Sequence, residues 1–108
     1  MKPAVDVSII TASYNLLSAG RQEQILRCLE SVHAQQGVTI EHLVIDGAST
    51  DGTLDFLKPY AEQGWIKIFS ESDKGIYDAF NRGINKATGE YVCFINSDDY
   101  LNNPAGLA

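Results

Sequence analysis

The sequence predicts an α/β fold built on a mostly parallel, doubly wound sheet. Three observations carry this reading. Short apolar runs alternate with single stretches of helical periodicity, each apolar run ends in a polar loop, and no internal repeat, low-complexity tract or linker interrupts the series. Strands joined by one helix each favour right-handed crossovers and parallel pairing.

Residues 5–12 (Val-Asp-Val-Ser-Ile-Ile-Thr-Ala) read as the first strand, opening into Ser13-Tyr14-Asn15. Ile25, Leu26, Leu29 and Val32 then recur at helical spacing, opposite Arg21, Glu23, Arg27 and Glu30, and the helix should stop near Gly37. Residues 40–45 form the second strand, closed by a loop over 46–53. Ser49 or Thr50 is expected to cap a short helix carrying Leu54, Leu57 and Tyr60, with Asp51 also suited to capping and Pro59 expected to shorten or kink the helix. Residues 65–69 alternate like a strand near a sheet edge. Ile76, Ala79, Phe80, Gly83, Ile84 and Ala87 make the cleanest helical stripe, which Gly89 should end as a left-handed cap. The last run, 91–95, is apolar enough to predict a strand buried on both faces, delivering Asp98 and Asp99 to one fixed point.

The length of 108 residues suits one domain, large enough to bury about 65% of the surface of its unfolded chain. Eight basic against fourteen acidic residues leave a net charge of −6, which argues against nucleic acid or an anionic membrane as partner through a general basic face. An anionic ligand would then need local cations, helix N-termini or a bound metal. Cys28 and Cys93 lack partners at metal-ligand spacing and read as small buried thiols; His33 and His42 read as structural or surface residues. Residues 1–6 lack the apolar core of a secretory signal and no segment is long enough to span a bilayer, so the chain reads as cytoplasmic.

In a parallel sheet all strand carboxyl ends lie on one edge, so the loops 11–15, 46–51, 71–75 and 96–99 converge on one crevice. Asp98 and Asp99 read either as ligands of Mg²⁺ or Mn²⁺ chelated by a diphosphate or as the start of a turn. Asp46 reads as an acceptor for a nucleobase edge or as a helix cap. Tyr14 reads as a stacking platform or a packed aromatic, and Lys74 with Gly75 as a phosphate contact at a helix start or a solvated pair. Arg82 is expected to face solvent or pair with Asp78 four residues earlier.

The runs Ser8-Ile9-Ile10-Thr11-Ala12-Ser13-Tyr14-Asn15, Leu29-Glu30-Ser31-Val32 and Val44-Ile45-Asp46-Gly47-Ala48-Ser49-Thr50-Asp51-Gly52-Thr53 resemble a family 2 nucleotide-sugar glycosyltransferase of the GT-A fold. The segments 72–83 (Ser-Asp-Lys-Gly-Ile-Tyr-Asp-Ala-Phe-Asn-Arg-Gly) and 94–99 (Phe-Ile-Asn-Ser-Asp-Asp) continue the likeness in order and spacing, in a form similar to bacterial members that build surface polysaccharides. The resemblance implies a nucleotide site of Thr11, Ala12, Tyr14, Asn15, Asp46, Gly47, Ser49, Lys74, Gly75, Ser97 and Asp98, with Thr11 and Tyr14 bordering the nucleotide and Asp46 recognising the base. It further implies that Asp98 and Asp99 hold Mn²⁺ or Mg²⁺ with the diphosphate. The family's Asp-x-Asp pattern would put its first acid at Asn96, so the charge falls to the later pair.

The same resemblance implies an inverting transfer from a nucleotide-diphosphate sugar to a glycan or lipid-linked acceptor, with peripheral association of the parent protein at the inner face of the membrane. The chain stops nine residues after the acidic pair and is expected to be the donor-binding half, with the acceptor half and general base beyond Ala108. The competing reading is a nucleotide-binding module without turnover. A dinucleotide-dependent oxidoreductase is disfavoured because no G-x-G-x-x-G follows the first strand.

Overall fold

The elements follow one another as β1 (Val7–Ser13), α1 (Gln22–His33), β2 (Ile40–Asp46), α2 (Thr53–Glu62), β3 (Lys67–Ser70), α3 (Ile76–Lys86) and β4 (Tyr91–Phe94). They come from a computed structural model that describes residues 5–72, 76–99 and 101. The strands form one parallel sheet in the order β3-β2-β1-β4, with Val7 opposite both Ile40 and Tyr91, and Asp46 opposite both Ser13 and Ser70. The α/β doubly wound reading therefore holds.

Side-chain alternation distributes the core over both faces. Val7, Ile9 and Val44 pack with Ile25, Cys28, Leu29 and Val32 of α1 and Leu57 of α2, while Ile10, Leu43 and Ile45 meet Ala79 of α3 on the other side. Gly83 lets α3 lie close to the sheet: a Cβ there would stand 2.5 Å from Ile10 Cγ2. Both cysteines are free thiols, Cys28 buried and Cys93 half-buried. His33 is exposed and stacks on Trp65 with ring centroids 4.0 Å apart.

Three local expectations need correction. β4 is not buried on both faces: it lies at the sheet edge, and Tyr91, Val92 and Phe94 are exposed. Pro59 does not end α2, which runs on to Glu62, because the ring sits on the exposed side, where water can satisfy the carbonyl it leaves without a donor. Gly89 is not among the left-handed glycines. Its constraint is close approach, since a Cβ would lie 2.7 Å from the Ser8 nitrogen. Arg82, with little of its side chain exposed, reaches the loop before α3, its Nη1 donating to the Glu71 carbonyl at 3.1 Å and its Nε lying 3.0 Å from Glu71 Oε1.

Away from the crevice, Glu41 ties the turn before β4 to the sheet. Its Oε2 accepts from Ser8 Oγ (2.6 Å), Thr88 N (2.6 Å) and Thr88 Oγ1 (2.9 Å), while Oε1 accepts from Lys67 Nζ (3.2 Å). Burial pushes the Glu41 pKa up, but the bonds from Ser8, Thr88 and Lys67 outweigh it and hold the value at about 2. His42 is buried beside Thr11 (Nε2 to Oγ1, 2.8 Å), its Nδ1 has no hydrogen-bond partner among the described residues, and burial pulls its pKa from 6.5 to about 4.

These two groups make the fold sensitive to acid in separate windows. Below about pH 6.5 the unfolded chain protonates His42 while the folded chain resists until about pH 4, so stability falls across that interval. Glu41 stabilises fully above about pH 4.5, and its contribution is lost as the pH falls towards 2. The urea-unfolding free energy should drop by on the order of 2 kcal/mol between pH 7 and pH 5. His42→Gln should flatten that interval; an equal drop in the variant would remove His42 as the cause.

Candidate functional site

The strand order reverses between β1 and β4: α1 and α2 cover one face of the sheet and α3 the other. Such a reversal opens a crevice beyond the strand carboxyl ends. Here it is a cavity of about 540 Å³ lined by Ala12, Ser13, Tyr14, Leu16, Ala19, Arg21, Gly47, Ser72, Ala79 and Ser97. Tyr14 stands at its side with 63% of its surface exposed, leaving the ring face open to a planar ligand.

Beneath the crevice lies a polar row across three strands. Register places Ser13, Asp46 and Ser70 side by side, and Asp46 is fully buried. Asp46 Oδ1 accepts from Ser13 Oγ (3.0 Å) and Ser49 Oγ (2.6 Å); Oδ2 accepts from Ser49 N (2.7 Å) and Ser70 Oγ (2.9 Å). A carboxylate offers about four acceptor sites, and the protein's own donors occupy that many. The arrangement fits a residue that fixes the loop after β2 rather than one presenting a free edge to a base.

A second set of bonds joins the loops after β1 and β2. Asn15 N donates to Ser49 Oγ (2.8 Å), Thr50 N to Asn15 Oδ1 (2.8 Å), and Ser18 N to Asp51 Oδ2 (2.7 Å). Asn15 and Ala48 both adopt left-handed backbone, at φ 46° and 63°. This conformation is unfavourable for a residue with a Cβ, more so for Ala48 than for Asn15. Asp51 also accepts from Thr53 N (3.0 Å) and Thr53 Oγ1 (2.5 Å), and so serves the start of α2 from one position before its left-handed Gly52 cap. Burial raises the Asp51 pKa, but the bonds from Thr53 and Ser18 more than offset this and hold it below the ordinary aspartate range. The capping expected of Ser49 or Thr50 is not seen; the Ser49 hydroxyl is engaged by Asp46 and Asn15.

Of the residues expected at the nucleotide, Ala12, Tyr14, Gly47 and Ser97 line the cavity. Asn15, Asp46 and Ser49 form its supporting network. The Thr11 side chain lies deeper on β1, fully buried against His42 and Cys28, and does not line the cavity. Lys74 and Gly75 lie outside the described residues. Asp98 and Asp99 are exposed beyond the end of β4, with Asp99 N donating to the Asn96 carbonyl at 3.0 Å.

Arg21, which periodicity had placed only on the outer side of a helix, lines the cavity, and its Nη1 donates to Asp98 Oδ2 at 3.1 Å. The two residues are 77 apart in sequence, so no local signal pairs them. Among the described residues no group of three His, Cys, Asp or Glu side chains is arranged to hold a metal ion. Two exposed adjacent carboxylates nevertheless fit Mg²⁺ or Mn²⁺ that brings its remaining oxygens from phosphate and water. Asp98 and Asp99 are the residues that would hold such an ion.

Comparison with known proteins bears on family and fold. The model of the family described as glycosyl transferase family 2 matches residues 8–105. An uncharacterized glycosyltransferase of Mycobacterium tuberculosis is 40% identical over 109 residues, covering 100% of this chain and 39% of the relative. A PGL/p-HBAD biosynthesis glycosyltransferase of Mycobacterium bovis is 39% identical over 83 residues, covering 75% of this chain and 32% of its own. This chain thus spans well under half of either relative. Among solved structures, S. aureus TarS in complex with UDP-GlcNAc superposes with a TM-score of 0.75 at 30% identity, over 90% of this chain and 28% of that one. The mannosyltransferase PcManGT from Pyrobaculum calidifontis, in complex with GDP-Man and Mn²⁺, gives a TM-score of 0.76 at 27% identity, over 96% and 30%.

Proposed function

The chain belongs to glycosyl transferase family 2, and from that footing we propose that it is the donor-binding half of an inverting glycosyltransferase using a nucleoside-diphosphate sugar and a divalent cation. The observation that carries the reading is the cavity at the β1–β4 reversal, lined by the exposed Tyr14 together with Arg21 and Ser97, with Asp98 held by Arg21. A nucleobase fits against Tyr14 while the diphosphate runs towards Asp98. The relatives add support: TarS is seen with UDP-GlcNAc and PcManGT with GDP-Man and Mn²⁺, so uracil and guanine are the bases to test first.

The residues divide the chemistry. Tyr14 and Gly47 hold and orient the nucleoside, with the loop after β2 kept in place by Asp46. Asp98 and Asp99 fix the diphosphate end, where a divalent cation, when bound, supplies charge stabilisation of the leaving group. Inversion requires an acceptor hydroxyl to attack the anomeric carbon opposite the diphosphate and to pass its proton to a carboxylate. We assign that base, and acceptor recognition, to the part of the longer relatives outside the match. For the acceptor we propose a glycan or a lipid-linked molecule at the inner membrane face; no helix among the described residues is long and apolar enough to cross a membrane.

Calorimetry with uridine and guanosine diphosphates tests the reading. One of them should bind, and replacing Mn²⁺ or Mg²⁺ with chelator should weaken binding by at least about tenfold, because two carboxylates facing a diphosphate repel it without an intervening cation. Equal affinity with and without chelator would reject the metal role of Asp98 and Asp99.

A further inference from the structure

Arg21 stands immediately before α1 and is the cation among the described residues lining the cavity. Its bond to Asp98 joins two half-exposed side chains, 45% and 49% accessible. Exposed ion pairs of this kind contribute little, and breaking one costs correspondingly little. A guanidinium meeting phosphate oxygens, by contrast, makes parallel charge-assisted hydrogen bonds, shorter and stronger than those of neutral donors. In a chain of net charge −6, a cation placed on the cavity wall is what an anionic ligand needs.

We propose that Arg21 exchanges partners during donor binding: it neutralises Asp98 in the empty crevice and turns its guanidinium onto the donor's diphosphate when one enters. The inference rests on the nucleotide-sugar reading above and adds a residue to it. The exchange has two consequences that a simple surface ion pair would not have. Arg21 discriminates diphosphates from nucleosides, because only the former carry the group it transfers to. Arg21 and a divalent cation are also alternative partners for the same carboxylate oxygen, so the arginine keeps Asp98 from collecting metal until a diphosphate draws it away.

The test compares wild type with Arg21→Gln and Arg21→Lys in three titrations. Nucleoside diphosphate is titrated at saturating Mn²⁺ by calorimetry, the matching nucleoside by NMR, and Mn²⁺ alone by electron paramagnetic resonance. R21Q should lose about tenfold in diphosphate affinity, the scale of one charge-assisted contact, and keep its nucleoside affinity. Mn²⁺ alone should bind R21Q a few-fold more tightly than wild type, since a competing cation has been removed. R21K should fall between for the diphosphate, keeping the charge without the fork. Unchanged diphosphate affinity in R21Q overturns the exchange, and so does an equal loss for nucleoside and diphosphate, which would make Arg21 a general support of the cavity wall. If wild type binds the nucleoside but gains nothing from the diphosphate, the donor reading itself fails and the exchange falls with it.

Discussion

Replacing Asp46 by alanine is expected to lower the unfolding free energy by about 3–5 kcal/mol, the upper range for single substitutions, and to abolish nucleotide binding. The change removes the common acceptor of Ser13, Ser49 and Ser70 at a fully buried position. The serine hydroxyls can rotate to other partners, but the Ser49 backbone N–H cannot, and the loop that carries Gly47 to the cavity loses its anchor. Asp46→Asn should be milder, about 1–2 kcal/mol, because the amide oxygen can still take the Ser49 N–H and the hydroxyls can accept from the amide nitrogen. Denaturant titration together with nucleotide calorimetry on both variants checks the assignment. Stability and affinity should fall together; an asparagine variant of wild-type stability that loses affinity would restore Asp46 to direct contact with the base.

Gly89→Ala should be comparably severe, costing at least about 3 kcal/mol, beyond ordinary overpacking. The new methyl group would lie 2.7 Å from the nitrogen and hydroxyl of Ser8 and 2.9 Å from the Val7 carbonyl carbon. Two of those three are backbone atoms of the central strand β1, and Gly89 N itself donates to Ser8 Oγ at 2.8 Å, so relief requires moving the sheet. Gly83→Ala meets only the Ile10 side chain, which can shift, and should cost about 1–3 kcal/mol. Gly64→Ala, at φ +83° with nothing within 4 Å, should cost only the backbone term of about 1–2 kcal/mol. Urea unfolding of the three variants should rank them in that order; a mild Gly89→Ala would show that the approach to Ser8 is slack.

Much of this architecture is legible in the sequence because it rests on local rules. The alternation of apolar runs with helical stripes gives the elements, and parallel pairing puts their polar ends on one edge, which is why Ala12, Tyr14, Gly47 and Ser97 meet as expected. What escaped depends on relations between distant residues. The partners of Asp46 are set by cross-strand register, so a residue that looks like an open acceptor in sequence is fully engaged in the fold. Thr11 shares a face with both the core residue Ile9 and the cavity-lining Ser13, so parity alone does not tell which of the two it joins. For β4, composition alone did not give its place: it is the outer strand of the four described, with Tyr91, Val92 and Phe94 exposed. Arg21 and Asp98 meet only through tertiary structure.

The bonded loops after β1 and β2 also bear on the thermodynamics of recognition. With Asn15 and Ala48 held in left-handed backbone and the two loops pinned to each other through Ser49, Thr50 and Asp51, much of the conformational entropy that ligand-binding loops surrender on association has already been lost during folding. A ligand entering here meets a wall whose shape is fixed in advance, so its binding free energy need not be spent on ordering that side of the crevice.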